Sequence, residues 1–383
     1  MSELRVPFFR PSIDDDDVQA VVDTLRSGWL TSGPNLTALE KELAEYCGAT
    51  YVNAVNSATA AMHLALAAWD LGPGDEVIVP VYTFTATANV VVHTGATPVL
   101  VDVREGDYNI DPEAIERAIT PRTKVIIPVH FAGEACAMDA INGIAKARGI
   151  KVLEDAAHAI GTFYHGRPIG TTSDAAAFSF YANKTITTGE GGALATDDEE
   201  LSNRVRVLTL HGMSRDAWNR YDAGGSWRYD IKEFGFKDNL TDIAASLGRT
   251  QLRRIEEFIE GRTRVAQRYF ANLRDEELVI LPQFDEANRH AWHLFPIRVK
   301  NEQSPVQRDD VIRELAARGI GTSVHFIPLH YHTAFKNLGR WQQGDFPVAE
   351  RLFAGEITLP MFPLMTNEEV DYVCESLREV LHP

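Results

Sequence analysis

A lysine and an aspartate follow two strand-like segments of this chain and together could carry out cofactor chemistry. Asp155 closes the strand-like run 152–154, and Lys184 follows the apolar, strand-like run 174–180, before a glycine-rich turn and another short strand. A lysine amine can condense with the aldehyde of pyridoxal phosphate, while a carboxylate can keep its pyridine nitrogen protonated so that the ring withdraws electrons. The pair therefore indicates a pyridoxal phosphate site in which Lys184 and Asp155 are the catalytic residues.

The alternative for Lys184 alone is an ordinary surface lysine after a buried strand, which is what most lysines are. The functional interpretation depends on further residues that would complete the site.

A phosphate site is suggested by Asn56-Ser57-Ala58-Thr59-Ala60, which starts a predicted helix directly after the apolar run 51–55. Small residues at a helix start leave backbone N–H groups free at the positive end of the helix dipole. The alternative is an ordinary Ser or Thr N-cap. Ser179, near the end of the strand before Lys184, could add a hydroxyl donor to the same phosphate.

Two ring-shaped side chains could contact a flat cofactor. Phe84 comes just after the predicted strand that ends at Pro80, and an aromatic there can stack on a heterocycle, although aromatics are more often core residues. His158 follows Asp155 by three residues and could pack against the ring or hold Asp155 in place. A histidine that only satisfies local hydrogen bonds is an equally good interpretation.

Other kinds of site are poorly supported. Gly189-Glu190-Gly191-Gly192 is neither a dinucleotide fingerprint nor a P-loop, and it follows Lys184 instead of opening a helix. The remaining histidines show no i, i+4 pair on a predicted helix, so we expect no metal site. They include His290, His293, His325, His330 and His332.

Strands and helices alternate between residues 50 and 200, which predicts an α/β fold with a mostly parallel sheet. The predicted strands are short apolar runs rich in Val and Ile, as is usual when helices cover both faces. They span 76–80, 98–103, 124–129, 151–154, 175–180 and 193–196. Helices are predicted at 58–69 and 138–148, and ligands of such sheets bind at the carboxyl ends of the strands.

The rest of the chain predicts a second, smaller domain. A long helix is expected from Thr241 past Glu260, bridging two lobes. Beyond it the pattern predicts strands at 292–299 and 320–326 and helices at 308–318 and 367–381. We therefore expect residues 1–250 to form an N-terminal arm and a large cofactor-binding domain, and residues 251–383 to form the bridging helix and a small α+β domain.

Composition limits the class of protein. With 45% hydrophobic and 24% charged residues the chain is typical of globular proteins, and its net charge of −17 argues against a nucleic-acid surface. The three cysteines form no C-x-x-C pair, and no apolar stretch approaches the ~18 residues that cross a bilayer. We expect a cytoplasmic enzyme that binds neither nucleic acid nor membrane.

These segments together resemble one known family, the nucleotide-sugar aminotransferases of the DegT group, which have the type I fold of aspartate aminotransferase. The run 178–192 is the most specific part of the match. Further matching segments are 28–34, 57–60, 80–84, 154–158, 235–242, 324–326 and 359–363.

The resemblance implies a role for each matching residue. Lys184 forms the internal aldimine with pyridoxal phosphate, and Asp155 pairs with its pyridinium. Ala58, Thr59 and Ser179 bind the phosphate, Phe84 stacks on the ring, and His158 lies against it. The family is dimeric, and its segment that matches Lys237 and Asn239 reaches into the partner's active site. At those two positions the family most often has Asn and Arg.

The function implied is transfer of an amino group from L-glutamate to a nucleotide-linked keto-sugar, with pyridoxamine phosphate as the intermediate and 2-oxoglutarate as the other product. The form of segment 235–242 favours a UDP- or dTDP-linked 4-keto-6-deoxyhexose, aminated at C4, over a C3 keto-sugar. The alternatives are a cofactor-dependent sugar dehydratase and a regulatory protein without turnover. Loops 211–230 and 324–332 are expected to select the sugar, but show no pattern that identifies it.

Overall fold

The computed structural model describes residues 4–213 and 229–383 of the chain, and its elements are labelled in chain order. The helices of the described residues are α1 Asp15–Ser27, α2 Pro34–Cys47, α3 Ala58–Ala68, α4 Ala86–His93, α5 Pro112–Ala118, α6 Met138–Lys146, α7 Glu199–Leu208, α8 Asp242–Arg253, α9 Ile255–Leu273, α10 Arg308–Ala317, α11 Thr333–Lys336, α12 Pro347–Gly355 and α13 Asn367–Leu381. The strands are β1 Tyr51–Val55, β2 Glu76–Pro80, β3 Thr97–Val101, β4 Thr123–Ile126, β5 Lys151–Asp155, β6 Phe163–Tyr164, β7 Arg167–Pro168, β8 Ala175–Ser179, β9 Gly192–Thr196, β10 Val279–Ile280, β11 Phe295–Val299 and β12 Glu356–Leu359.

A seven-stranded sheet forms the centre of the larger part, in the order β1-β9-β8-β5-β4-β2-β3. Neighbours from β3 to β8 run parallel, and only β9 runs antiparallel to both of its neighbours. Strands β2, β8 and β9 are buried at every position. Continuous Val, Ile and Ala runs are what a strand covered on both faces requires, so the predicted α/β fold with a mostly parallel sheet is confirmed.

The register of β5 and β8 positions the chemistry. Asp155 pairs with Ala177 across the parallel ladder, so the carboxyl ends of the two strands lie side by side. Beyond β8, the chain turns back through a loop closed by hydrogen bonds from Phe180 N to Gly191 O and from Thr188 N to Phe180 O, both 2.9 Å. This closed loop carries Lys184 at the same edge as Asp155.

A smaller antiparallel sheet, β10-β11-β12, lies in the C-terminal part of the chain. Its core also contains apolar residues of α9, α10 and α13, and it includes Val6, whose backbone bridges to Ile320. This is the predicted smaller α+β unit. The boundary at residue 250 stays a prediction.

The single long helix predicted from Thr241 past Glu260 is wrong. Two helices occupy this stretch, separated at Arg254, which has φ −103° and ψ 7°. The change of direction lets α8 pack against α1 and α2 while α9 packs against α13. No glycine or proline lies between residues 249 and 260 to signal this break, since tertiary packing produces it.

Two strand predictions in the C-terminal part also need correction. The segment 320–326 forms only isolated bridges, from Ile320 to Val6 and from Ser323 to Thr358, because it passes between two different neighbours. Strand β11 begins at Phe295 and not at 292, because His293 N donates to Ala132 O at 2.8 Å and draws the chain away from the sheet. No helix within the described ranges is long and apolar enough to span a membrane.

Candidate active site

A cavity of about 490 Å³ lies at the carboxyl edge of the central sheet. Seven of the nine sequence-predicted site residues line it: Ala58, Thr59, Phe84, Asp155, His158, Ser179 and Lys184. Residues that are distant in sequence meet here because β1, β2, β5 and β8 all end at this edge. The size is typical of a small-molecule pocket.

The start of α3 provides donors for an anion. The Ser57 hydroxyl caps the helix by accepting from Ala60 N at 3.0 Å, so the alternative interpretation of this serine as an N-cap is also correct. The N–H groups of Ala58 and Thr59, in the first helical turn, have no carbonyl partner within the helix. They face the cavity from the positive end of the helix dipole.

Strand β9 approaches this helix start so closely that only glycine is possible at its first position. A Cβ on Gly192 would lie 2.4 Å from Ala58 N and 2.7 Å from Phe178 O. The close approach brings Ser179, the partner of Gly192 in the β8–β9 ladder, beside the start of α3. The result is a compact cradle of two backbone amides and a hydroxyl.

Asp155 is a buried carboxylate with its oxygens held in place. Thr87 Oγ1 donates to Oδ2 at 2.8 Å, and the N–H of Ala157 donates to Oδ1 at 3.2 Å. Burial raises the pKa of Asp155, against the opposing effects of these hydrogen bonds and of the charge of Lys184. A cationic partner on the cavity side would favour the ionised carboxylate.

The surroundings of Lys184 shift the pKa of its amine. Burial lowers its pKa to about 8, partly offset by the negative charge of Asp155. Its Nζ lies 3.4 Å from His293 Nε2. About a tenth of the amine is therefore unprotonated at pH 7, far more than for an ordinary lysine, and this is the form that attacks a carbonyl group.

Three histidines surround this amine. His158 Nδ1 accepts from Ala132 N at 3.3 Å, and the His158 ring lies 4.4 Å from that of His293. His325 is the third, and burial lowers its pKa to about 4. Burial also lowers the pKa of His158 and His293 well below the usual value, so all three rings are neutral at pH 7.

Aromatic side chains form the rim of the cavity. Phe84 is 60% exposed and its ring centroid lies 6.1 Å from that of Phe326. Tyr181 is also exposed. Phe84 is therefore available to stack on a ring inside the cavity and is not a core residue.

Lys237 and Asn239 do not line the cavity of their own chain. Their backbones bridge to Leu210 and to Val55, and the Asn239 amide donates to Ser32 Oγ at 2.8 Å. Lys237 donates to the side chain of Asn239. Their roles in a partner's site stay a prediction.

The sequence interpretation missed several residues of the site. His293, His325, Phe326 and Asn183 line the cavity, and Thr87 holds Asp155. The first three come from the C-terminal part of the chain, where no motif signals that they return to the strand ends. Of the two loops expected to select a sugar, 324–332 contributes His325 and Phe326, whereas most of 211–230 lies outside the described residues.

The side chains and amides of the cavity suit pyridoxal phosphate. The amides of the α3 start match a phosphate dianion, the Asp155 carboxylate matches a protonated ring nitrogen, and the Lys184 amine matches an aldehyde. Because Gly192 has no Cβ, β9 can lie close to these amides and bring Ser179 beside them.

Comparisons with known proteins agree with this chemistry. Residues 11–378 match the DegT/DnrJ/EryC1/StrS aminotransferase family. The chain is 47% identical over 377 residues to the spore coat polysaccharide biosynthesis protein SpsC of Bacillus subtilis, covering 98% of this chain and 97% of that protein.

Solved structures are similar over the same extent. The putative sugar aminotransferase Spr1654 of Streptococcus pneumoniae, in its PMP form, is 39% identical with a TM-score of 0.92, covering 99% of both chains. DesV of S. venezuelae, in complex with a ketimine intermediate, is 34% identical with a TM-score of 0.90 and the same coverage. This chain belongs to the DegT/DnrJ/EryC1/StrS aminotransferase family and is an aminotransferase that depends on pyridoxal phosphate.

Proposed function

We propose that the enzyme transfers the amino group of L-glutamate to the keto group of a nucleotide-linked sugar, a UDP- or dTDP-linked 4-keto-6-deoxyhexose aminated at C4. Support for a sugar comes from the relatives: Spr1654 is described as a putative sugar aminotransferase, and SpsC as a protein of polysaccharide biosynthesis. The nucleotide, the C4 position and the glutamate donor follow the sequence resemblance.

One observation carries the catalytic part of the proposal: the amine of half-buried Lys184 and the buried carboxylate of Asp155 line one cavity together with the α3 cradle. Bound pyridoxal phosphate supplies an aldehyde that accepts amino groups and a ring that delocalises electrons released at the carbon bearing nitrogen. The cradle of Ala58, Thr59 and Ser179 holds the phosphate, and Asp155 keeps the ring nitrogen protonated.

Lys184 carries the proton that must move between two carbon atoms during amino transfer. With a pKa of about 8, its freed amine can take a proton from one carbon at neutral pH, and the resulting ammonium can return the proton to another. When glutamate is the donor, the enzyme releases 2-oxoglutarate and retains the amino group. The keto-sugar then enters and leaves as the amino sugar.

The rim of the cavity suits a sugar nucleotide. Phe84 and Tyr181 expose aromatic side chains there, and aromatic faces pack well against flat rings. The backbone amides at the start of α3 can bind anionic phosphate even on a chain with a net charge of −17.

The active unit of the proposal is a homodimer with shared sites. Phe234 is 99% exposed and lies three residues before Lys237, and nearby Ile231 is 48% exposed. Exposed apolar side chains of this kind often mark a protein interface. We infer that a second copy covers them and contributes its Lys237 and Asn239 to this site, where a cation and an amide can contact substrate phosphates.

Two alternatives are less well supported. A dehydratase of the same family has histidine at the position of the Schiff-base lysine, whereas this chain has Lys184. A regulatory protein without turnover has no need of a lysine with a lowered pKa beside a buried aspartate. Both observations favour amino transfer.

The test offers 3-keto and 4-keto nucleotide sugars, each with UDP or dTDP and excess L-glutamate. We expect conversion of the 4-keto sugar to an amino sugar, with one 2-oxoglutarate released per amine formed. A higher kcat/KM for 3-keto sugars would overturn the C4 assignment. Release of a deoxygenated sugar without an amine would identify a dehydratase, and no reaction of the loaded enzyme with glutamate would favour the regulatory alternative or a different donor.

A further inference from the structure

A buried arginine without an acidic partner lies behind Lys184. Arg262, on α9, is 2% exposed, and no ion pair among the described residues neutralises it; Arg262 and Lys184 line the same small cavity. Burial alone lowers the pKa of Arg262 to about 10. Burying a cation without an acidic partner is unfavourable, so the contacts of the guanidinium with main-chain carbonyls must offset part of that cost.

Arg262 holds the main chain that precedes β11. Its Nη1 lies 3.3 Å from the carbonyl oxygen of Trp292, 3.2 Å from that of His293 and 3.3 Å from that of Met361. The N–H of His293 donates to Ala132 O at 2.8 Å, on the other side of the segment. These contacts fix residue 293 outside the sheet, against the catalytic cavity.

The side chain of His293 makes its polar contact with the reacting amine. Its Nε2 lies 3.4 Å from Lys184 Nζ, while its Nδ1 is buried without a hydrogen-bond partner in the part of the chain that the structure describes. A neutral imidazole can accept from an ammonium at Nε2, and in its other tautomer it can donate from Nε2 to an amine lone pair. One ring therefore serves both protonation states of Lys184.

We propose that Arg262 and His293 act as a pair on Lys184: His293 retains the freed amine within reach of the reacting carbon, and Arg262 is the positioning residue that holds His293 there. This role rests on the amino transfer proposed above. In each half-reaction the Lys184 amine must be released from the cofactor and must then stay close to the reacting carbon.

Charge supports this arrangement. Among the described residues, Asp155, His158, His293, His325 and Glu190 line the catalytic cavity with Lys184, and Arg10 and Arg262 line the small cavity with it. The Arg262 charge is among the causes that lower the pKa of Lys184 and of His293. The histidines around Lys184 are neutral at pH 7, so removal of the Arg262 charge should raise the pKa of Lys184.

The first test measures cofactor capture and needs no sugar. The full-length enzyme is stripped of cofactor with L-glutamate and dialysis, and the rate at which it recaptures pyridoxal phosphate is followed by absorbance from pH 6 to 10. Capture requires the unprotonated amine, so the rate should rise with pH to a midpoint near the Lys184 pKa of about 8. In Arg262→Met we expect the midpoint to rise by about one unit, which slows capture at pH 7 about tenfold.

Arg264→Met is the matched control. Arg264 lies on the same helix and also donates to main-chain carbonyls, those of Pro363 and Met365, but it does not line the small cavity that Arg262 shares with Lys184. Its replacement should leave the midpoint unchanged. Arg262→Lys keeps a positive charge but loses the planar guanidinium group that contacts the main chain. The pH midpoint of capture should therefore stay near that of the wild type, while kcat should fall. An unchanged midpoint in Arg262→Met, or the same shift in Arg264→Met, would overturn the role of Arg262.

The second test addresses His293. His293→Phe should lower kcat of the glutamate half-reaction about tenfold or more, with a change in KM of less than about threefold, because glutamate binding is kept and proton transfer is impaired. His293→Gln, with an amide near the Nε2 position, should restore part of the loss. His290→Phe is the control, since His290 is a buried histidine of the same segment that stacks on Trp292 at 3.8 Å and does not line the cavity.

A loss of kcat in His290→Phe equal to that in His293→Phe would show that the segment matters only for folding. Equal rates in His293→Phe and the wild type would also overturn the proposal. If the enzyme captures cofactor as expected but aminates no sugar tested, the proposed substrate is wrong while the Arg262–His293 pair stands. If the capture midpoint of Arg262→Met does not shift while the enzyme aminates the 4-keto sugar normally, the role of the Arg262–His293 pair is wrong and the proposed substrate stands.

Discussion

Single residues carry most of the chemistry of this enzyme. Lys184 and Asp155 are 29 positions apart in the chain, yet they line one cavity because each follows a strand of the same parallel pair. Burial of both groups shifts their pKa values in opposite directions, that of the lysine down and that of the aspartate up. The site thereby keeps a reactive amine beside a carboxylate that requires a cationic partner.

Removal of the amine should abolish covalent attachment of the cofactor without abolishing its binding. In Lys184→Ala we expect loss of the visible absorbance of the lysine-linked cofactor and loss of multiple turnover, while the α3 cradle still retains pyridoxal phosphate. Absorbance spectra and equilibrium dialysis measure these two properties separately. A wild-type spectrum with near wild-type turnover would exclude Lys184 as the Schiff-base residue.

Neutralising the Asp155 carboxylate should lower the rate of amino transfer more than it affects the attachment of the cofactor to Lys184. Asp155→Asn keeps the shape and an acceptor for Thr87, but it removes the charge that is proposed to hold the ring nitrogen protonated. We expect a normal lysine-linked absorbance and a fall in kcat of at least about 100-fold, or ~2.7 kcal/mol. A fall of less than about tenfold in stopped-flow half-reactions would contradict the assigned role.

At the scale of secondary structure, the close approach of β9 to the start of α3 shapes the phosphate cradle. Gly192 permits this approach because a Cβ there would overlap the backbone of Ser57, Ala58 and Phe178. Backbone atoms cannot move aside as a flexible side chain can. A larger residue must therefore push the strand and the helix apart and open the cradle.

Gly192→Ala should weaken cofactor binding. We expect the Kd for pyridoxal phosphate to rise about tenfold or more, or ~1.4 kcal/mol, because the α3 amides lose their alignment. Gly143→Ala is a matched control, since a Cβ on this glycine in α6 meets nothing within 4 Å. It should leave the Kd unchanged and favour the helix slightly. An unchanged Kd in Gly192→Ala, measured by fluorescence titration, would show that β9 does not shape the cradle.

Whole-molecule assembly decides whether Lys237 and Asn239 belong to the site. Neither residue lines the cavity of its own chain, although Asn239 bridges to Val55 at the end of β1 and Lys237 bridges to Leu210. The exposed Phe234 and Ile231 nearby provide an apolar surface for a second copy. A closed two-fold dimer would use this surface twice and build two equivalent sites.

Mixing two inactive variants tests this arrangement. Lys184→Ala protomers are combined with protomers that carry Lys237→Ala and Asn239→Ala, and subunit exchange is verified by mass. A heterodimer contains one site with an intact Lys184 and an intact partner segment, so equal mixing should restore about a quarter of wild-type activity. No recovery despite complete exchange would indicate that each chain builds its site alone.

The sequence by itself determined the α/β class, six of the seven strands of the large sheet and the cluster of Lys184, Asp155, Ala58, Thr59, Ser179, Phe84 and His158. It could do so because these features depend on local patterns: continuous apolar runs form parallel strands, and residues just after them meet at one edge.

Only the tertiary structure decided the break at Arg254, the late start of β11 and the arrival of His293, His325 and Arg262 around Lys184. Each of these depends on contacts between distant parts of the chain, such as the donation from His293 N to Ala132 O. Local propensity carries no record of a partner more than 100 residues away, because such a contact becomes favourable only once the core has brought both segments together.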